Sequence, residues 1–183
     1  MKVVAIGGSP RLNGNTNYLI DRALAKLTAR GIETEKIVLN QYKIAPCQAH
    51  DSCASATECL AKDDGNWIMD RFQQADGVIV ASPVYFGTIS AQIKTFMDRT
   101  FFLFHHQKDL NAKCAGIIAI DGRGGSDEAS RELGKFFRLG SSKVFILKGH
   151  AGPPDNDPKK QTELIKKAET IGQKIADMLL SNR

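Results

Sequence analysis

The sequence predicts an α/β fold: a doubly wound, five-stranded parallel sheet with helices on both faces. Three observations carry that reading. Short apolar runs alternate with helix-period segments from end to end. The runs show little polar alternation, as strands buried on both faces require. The unusual loops follow the first, third and fourth runs, and such sheets bind ligands beyond the carboxyl ends of their strands.

Taken in order, Val3–Ile6 reads as the first strand. Asn15–Arg30 follows as a helix with Leu19, Ile20, Ala23, Leu24 and Leu27 on one stripe, stopped by Gly31 where a left-handed residue is wanted. The second strand spans about Glu33–Leu39, then Asp64–Gln74 is helical and Val78–Ala81 is the third strand. Ala91–Phe101 carries Ile93, Phe96, Met97 and Thr100 at helical spacing. Lys113–Ile120 is the fourth strand, Asp127–Phe137 a helix and Lys143–Leu147 the fifth strand. Asp157 as cap and Pro158 in the first turn open a last helix with the stripe Leu164, Ala168, Ile171, Ile175 and Met178. Gly149–Asp157, with Gly152, Pro153 and Pro154, reads as a crossover before that helix.

The 183 residues, 42% hydrophobic and 25% charged, suit one domain over 1–183 with a cysteine-containing insertion at about 41–63. No apolar stretch is long enough to span a membrane, and Met1-Lys2 runs straight into the first strand without a secretory leader. The chain is therefore expected to be cytoplasmic, with no membrane partner and with reduced thiols. A net charge of +5 favours anionic ligands without naming one. Lys159, Lys160, Lys166, Lys167 and Lys174 read as the solvated face of the last helix, and no nucleic-acid partner is expected.

Gly7-Gly8-Ser9-Pro10-Arg11-Leu12-Asn13-Gly14-Asn15-Thr16 joins a strand to a helix. Such a junction offers backbone N–H groups and the positive end of the helix dipole, both suited to a phosphate. Ser9, Asn15 and Thr16 add neutral donors and Arg11 a charge. Neither familiar glycine-rich phosphate motif is present. Five residues separate Gly8 from Gly14, Asn15 stands where a Walker lysine would be, and the dinucleotide spacing is missing. A plain turn and cap leaves Arg11 among so many donors without a reason.

Ala81-Ser82-Pro83-Val84-Tyr85-Phe86-Gly87-Thr88 has two readings: a stiff turn for a flat heteroaromatic ring, or a strand-end turn with Tyr85 and Phe86 in the core. Asp121-Gly122-Arg123-Gly124-Gly125-Ser126 likewise reads as a nest of N–H groups or as a surface loop. Pro46-Cys47-Gln48-Ala49-His50-Asp51-Ser52-Cys53-Ala54-Ser55-Ala56-Thr57-Glu58-Cys59 packs three of the four cysteines into thirteen residues as C-x2-H-x2-C-x5-C. Cys114 reads as a core residue. Phe101–Phe104 with His105 and His106 reads as an aromatic loop and candidate subunit contact, and His150, after the fifth strand, is given no role.

Gly-Ser-Pro-Arg-x-x-Gly-Asn-Thr at Gly8–Thr16 resembles the FMN-phosphate loop of the NAD(P)H-dependent FMN reductases of the flavodoxin-like fold. The resemblance covers essentially the whole chain and is nearest to the iron–sulfur flavoprotein branch. It implies that Ser9, Arg11, Asn13, Gly14, Asn15 and Thr16 hold the FMN phosphate. Pro83, Val84, Tyr85, Phe86 and Gly87, with Gly122, Arg123, Gly124 and Gly125, would hold the ring. The implied activity is hydride transfer from a nicotinamide nucleotide to flavin N5, with electrons passed to a quinone, free flavin, dye or protein acceptor and no obligatory catalytic side chain. A homodimer or homotetramer is expected. The iron–sulfur flavoproteins carry cysteine at all four places of a similar motif, which holds a [4Fe–4S] cluster; here His50 replaces the second. Three readings of Cys47, His50, Cys53 and Cys59 stay open: bare thiols, which we favour, a His-ligated cluster, or a Zn²⁺ site. The alternative functions are an iron–sulfur electron carrier and a non-catalytic flavin-binding regulator.

Overall fold

The computed structural model describes residues 1–139, 143–152 and 157–181. Five parallel strands form the sheet: β1 (Lys2–Gly7), β2 (Glu33–Val38), β3 (Gly77–Tyr85), β5 (Cys114–Asp121) and β6 (Lys143–His150). Their spatial order is β2-β1-β3-β5-β6, and a two-residue strand β4 (Thr88–Ile89) pairs antiparallel with the end of β3. The sheet thus has one strand beyond the five predicted. Strand order reverses between β1 and β3, which are hydrogen-bonded neighbours from Val3↔Gly77 to Gly7↔Ala81. Loops leaving those two strands part in opposite directions and open a crevice at the carboxyl edge.

Alternate strand residues feed two separate cores, as the two-residue period of a strand dictates. Val3 and Ala5 of β1 face one way, with Ile79 of β3 and Ile118 of β5. They are covered by α1 (Asn15–Thr28) through Leu19, Ala23 and Leu27 and by α6 (Thr162–Ser181) through Ala168, Ile171 and Ile175. Val4, Ile6, Val80 and Ile117 face the other way, beneath α2 (Gly65–Gln74), α3 (Ala91–Arg99) and α5 (Ser126–Leu133). Phe72, Phe96 and Phe136 form the aromatic centre of that second core, with ring centroids 5.5 to 6.1 Å apart. Cys114 is fully buried on β5, and burial pushes its thiol up to about 11, so it packs as a small apolar side chain.

Several boundaries differ from expectation. Gly31 stands at φ +73 after α1, as predicted. The segment Ala91–Phe101 is not one helix: α3 ends at Arg99, the Thr100 hydroxyl donates to the Met97 carbonyl, and the chain restarts as α4 (Phe101–His105). The aromatic loop is therefore a short helix. Phe101 and Phe104 stack on its exposed side at 5.5 Å. The helix expected over Asp127–Phe137 ends at Leu133 and tightens into a 3-10 turn over Gly134–Leu139. Asp157 accepts the Lys159 N–H at 2.9 Å and caps a 3-10 turn over Pro158–Lys160, so the last helix begins only at Thr162. Pro153 and Pro154 of the expected crossover lie outside the described residues. Among the described residues no helix is long and apolar enough to cross a membrane.

Candidate functional site

The loop after β1 is shaped by its own side chains. Buried Ser9 donates its hydroxyl hydrogen to the Arg11 carbonyl and accepts the Arg11 N–H, both at 3.2 Å. Asn17, on the buried side of α1, donates to the carbonyls of Arg11 at 2.9 Å and Leu12 at 3.1 Å. A side chain at Gly7 would come within 2.7 Å of Asn17 Oδ1, so only glycine leaves Asn17 its place. Gly8 donates to the Ala81 carbonyl at 2.8 Å, and Ser90 donates to the Gly8 carbonyl at 2.6 Å. These bonds tie the loop to β3 and to the amino end of α3. Gly14 caps α1, Thr16 is buried in its first turn, and Arg11 and Asn13 are exposed. Asn15 donates to the Ala151 carbonyl at 3.2 Å, drawing in the exit of β6.

The stiff turn expected after Ala81 comes later, at Phe86 and Gly87. β3 continues through Pro83 to Tyr85, paired with β5 as far as Pro83↔Ile120, and then reverses into β4. Phe86 (φ +50) and Gly87 (φ +78) are both left-handed, the pattern of a type I′ hairpin turn. Phenylalanine in that conformation is uncommon, which is why the hairpin is hard to read from residue types. Tyr85 and Phe86 point into solvent, so the core-packing alternative does not hold. Thr88 donates to Glu132 of α5 and anchors the hairpin base.

The loop after β5 is organised by Asp121. Its carboxylate accepts the Gly124 N–H at 2.8 Å and the Ser126 N–H at 3.2 Å, and it meets His150 Nδ1 at 2.6 Å. Burial alone would raise the Asp121 pKa; the bonds from His150, Ser126 and Gly124 outweigh it and hold the carboxyl below its ordinary range. Gly124 (φ +107) and Gly125 (φ +99) supply conformations that other residues rarely adopt.

Two adjoining cavities join these loops. One of about 330 Å³ is lined by Ser9, Arg11, Asn13, Gly14, Asn15 and Thr16 together with Pro83, Val84, Tyr85, Ile120, Asp121, Gly122, Ala151 and Gly152. The other, about 620 Å³, lies between Val84–Gly87 and Gly122–Gly125. They share Val84, Tyr85 and Gly122. All the residues expected to hold FMN therefore line one continuous crevice, polar and cationic at the helix end and more apolar beside the hairpin. A side chain at Gly87, Gly122 or Gly124 would meet nothing within 4 Å, so the glycine walls face open space. The donor set and the empty walls fit a phosphate joined to a flat ring. Sequence reasoning missed Asp121, Asn17 and the β6 exit. The only signal for Asn17 was an asparagine on an otherwise apolar stripe.

The cysteine insertion is held elsewhere, by the last residue of α3. Arg99, 1% exposed, donates to both carboxylate oxygens of Asp63 at 2.9 and 2.7 Å. It also donates to the carbonyls of Ala45 at 3.1 Å and Ala61 at 3.3 Å, and to Asn66 Oδ1 at 2.8 Å. Cys47 and His50 are exposed, Cys53 and Cys59 half-buried. Burial, with Cys59 and Cys47 nearby, pushes the Cys53 thiol up. His50 caps a 3-10 turn over Asp51–Ser55, its carbonyl accepting the Cys53 N–H at 2.9 Å. Among the described residues no three His, Cys, Asp or Glu side chains converge as metal ligands.

Against known proteins, residues 1–152 match the family model described as NADPH-dependent FMN reductase. The chain belongs to that family. This FMN reductase family member is thus an FMN-binding oxidoreductase, with a nicotinamide nucleotide as its second ligand. It is 38% identical over 160 residues to an iron-sulfur flavoprotein of Methanocaldococcus jannaschii, covering 86% of this chain and 78% of the relative. An iron-sulfur flavoprotein of Archaeoglobus fulgidus is 33% identical over 185 residues, covering 97% of this chain and 80% of the relative. Among solved structures, an NAD(P)H:quinone oxidoreductase from Methanothermobacter marburgensis superposes with a TM-score of 0.77 at 16% identity, covering 96% of both chains, which shows the shared fold.

Proposed function

We propose that this FMN reductase family member catalyses NAD(P)H-dependent reduction of a quinone, free flavin or similar small acceptor through FMN held in the crevice. The observation that carries the reading is the meeting of three predicted loops at one strand-order reversal. When bound, FMN supplies a ring that takes hydride from the nicotinamide and passes two electrons to the acceptor. The chain's part is to bind and orient. Arg11 and the amino end of α1 take the phosphate, and the hairpin and the Gly122–Gly125 loop border the ring. The protein should purify yellow with about one FMN per chain and oxidise NADH or NADPH only when an acceptor is present. Failure to retain or rebind FMN would sink the proposal. Arg11→Ala removes a charge-assisted phosphate partner and should weaken FMN binding about tenfold, read by fluorescence titration.

The cysteine motif and the iron-sulfur relatives favour a second reading, an electron carrier with a [4Fe–4S] cluster on Cys47, Cys53, Cys59 and His50. We place it second because His50 removes one thiolate. Iron and acid-labile sulfide assays on anaerobically purified protein separate the two, four irons per chain favouring the carrier.

A further inference from the structure

β5 and β6 end in register, Asp121 opposite His150. Asp121 lines the crevice, whereas His150 is outside its lining and half exposed at the strand end. The Asp121 carboxylate is an anion held below its ordinary range and can only accept, so Nδ1 of His150 carries the hydrogen between them. Two further ties fix the histidine: its carbonyl accepts from Gln161 at 3.2 Å, and the next residue, Ala151, donates to the Asp121 carbonyl at 2.8 Å. The same carboxylate accepts the Gly124 and Ser126 amides and so fixes the backbone of the loop between them and Asp121.

Any ring bordered by this loop lies close to a buried negative charge. Reduction adds negative charge to that ring, so an unbalanced Asp121 would oppose it. A donor to the carboxylate from outside the crevice lining takes up part of its charge and holds the acceptor of the loop's amides in place.

We propose that His150 is a positioning residue for the redox reaction: by holding Asp121 it orders the Gly122–Gly125 loop and raises the site's preference for reduced over oxidised FMN. This rests on the flavin placement given above. It goes beyond that placement by assigning control of the potential to a residue outside the crevice.

The test compares wild type, His150→Ala and His150→Gln, each loaded with FMN, by redox titration of the visible spectrum. His150→Ala should lower the ratio of reduced to oxidised affinity about tenfold, a midpoint ~30 mV more negative for a two-electron couple. His150→Gln, whose amide can still donate to Asp121, should return most of the difference. In flavin-free protein, exchange of the Gly124 and Ser126 amides should quicken several-fold in His150→Ala, a readout that needs no cofactor. A wild-type midpoint in His150→Ala, or no recovery in His150→Gln, would overturn the role of His150. Failure of wild type to bind FMN would instead overturn the flavin placement and leave the exchange measurement to judge the pair.

Discussion

Arg99→Met should destabilise the protein by about 3–5 kcal/mol in urea denaturation, the cost typical of removing one partner from a buried ion pair. The size follows from what is left behind. Asp63 keeps a mostly buried carboxylate without its guanidinium, and the carbonyls of Ala45 and Ala61 each lose a donor. Adding Asp63→Asn to Arg99→Met should recover part of the loss, since the stranded charge is gone. Acid supplies a further check. Burial would raise the Asp63 pKa, but bonds from Arg99, Ala45 and Gly65 win and lower it. The folded-state pKa is thus below the unfolded one, so this contribution is fully present above the ordinary carboxylate pKa of about 4 and is lost as pH falls through the depressed value. Arg99→Met should flatten that acid limb. A loss under 1 kcal/mol would mean that the insertion is held by other contacts.

Gly125→Val should all but abolish FMN binding while leaving the sheet intact. Gly125 lies at φ +99, and even a Cβ there would come within 2.9 Å of Val84 Cγ1 and 3.0 Å of Gly87 Cα and its carbonyl oxygen. The hairpin and the glycine loop would be pushed apart at the wall of the larger cavity. Backbone strain adds about 1–3 kcal/mol. A loss of FMN affinity of roughly a hundredfold, about 2.7 kcal/mol, is the expected reading by fluorescence titration. Affinity within threefold of wild type would show that the two loops do not jointly border the ring.

What could be read from the sequence divides along physical lines. Apolar runs and helix stripes located the five parallel strands, because burial on two faces leaves a pattern local to each segment. The crevice was legible for the same reason: Ser9–Thr16, Pro83–Gly87 and Gly122–Gly125 each announce themselves by glycine, proline or donors beside a strand end. What escaped depends on an uncommon backbone conformation or on partners distant in sequence. Phe86 in a left-handed turn, Asp121 bound to His150 across two strands, and Arg99 gripping residues 36 and 54 positions away have no short-range signature. His150 looked ordinary because its partner is 29 residues off.

The Arg99 neck has a consequence for how this chain can change over time. By gripping Ala45, Ala61 and Asp63, one side chain fixes both mouths of the stretch from Pro46 to Leu60 against α3. Once those mouths are pinned, the stretch between them contributes no register to the sheet, and doubling its length costs only about 0.6 kcal/mol of closure entropy. It behaves as a cartridge in a socket. Changes of sequence between the mouths therefore leave the pairing order of the five parallel strands as it is.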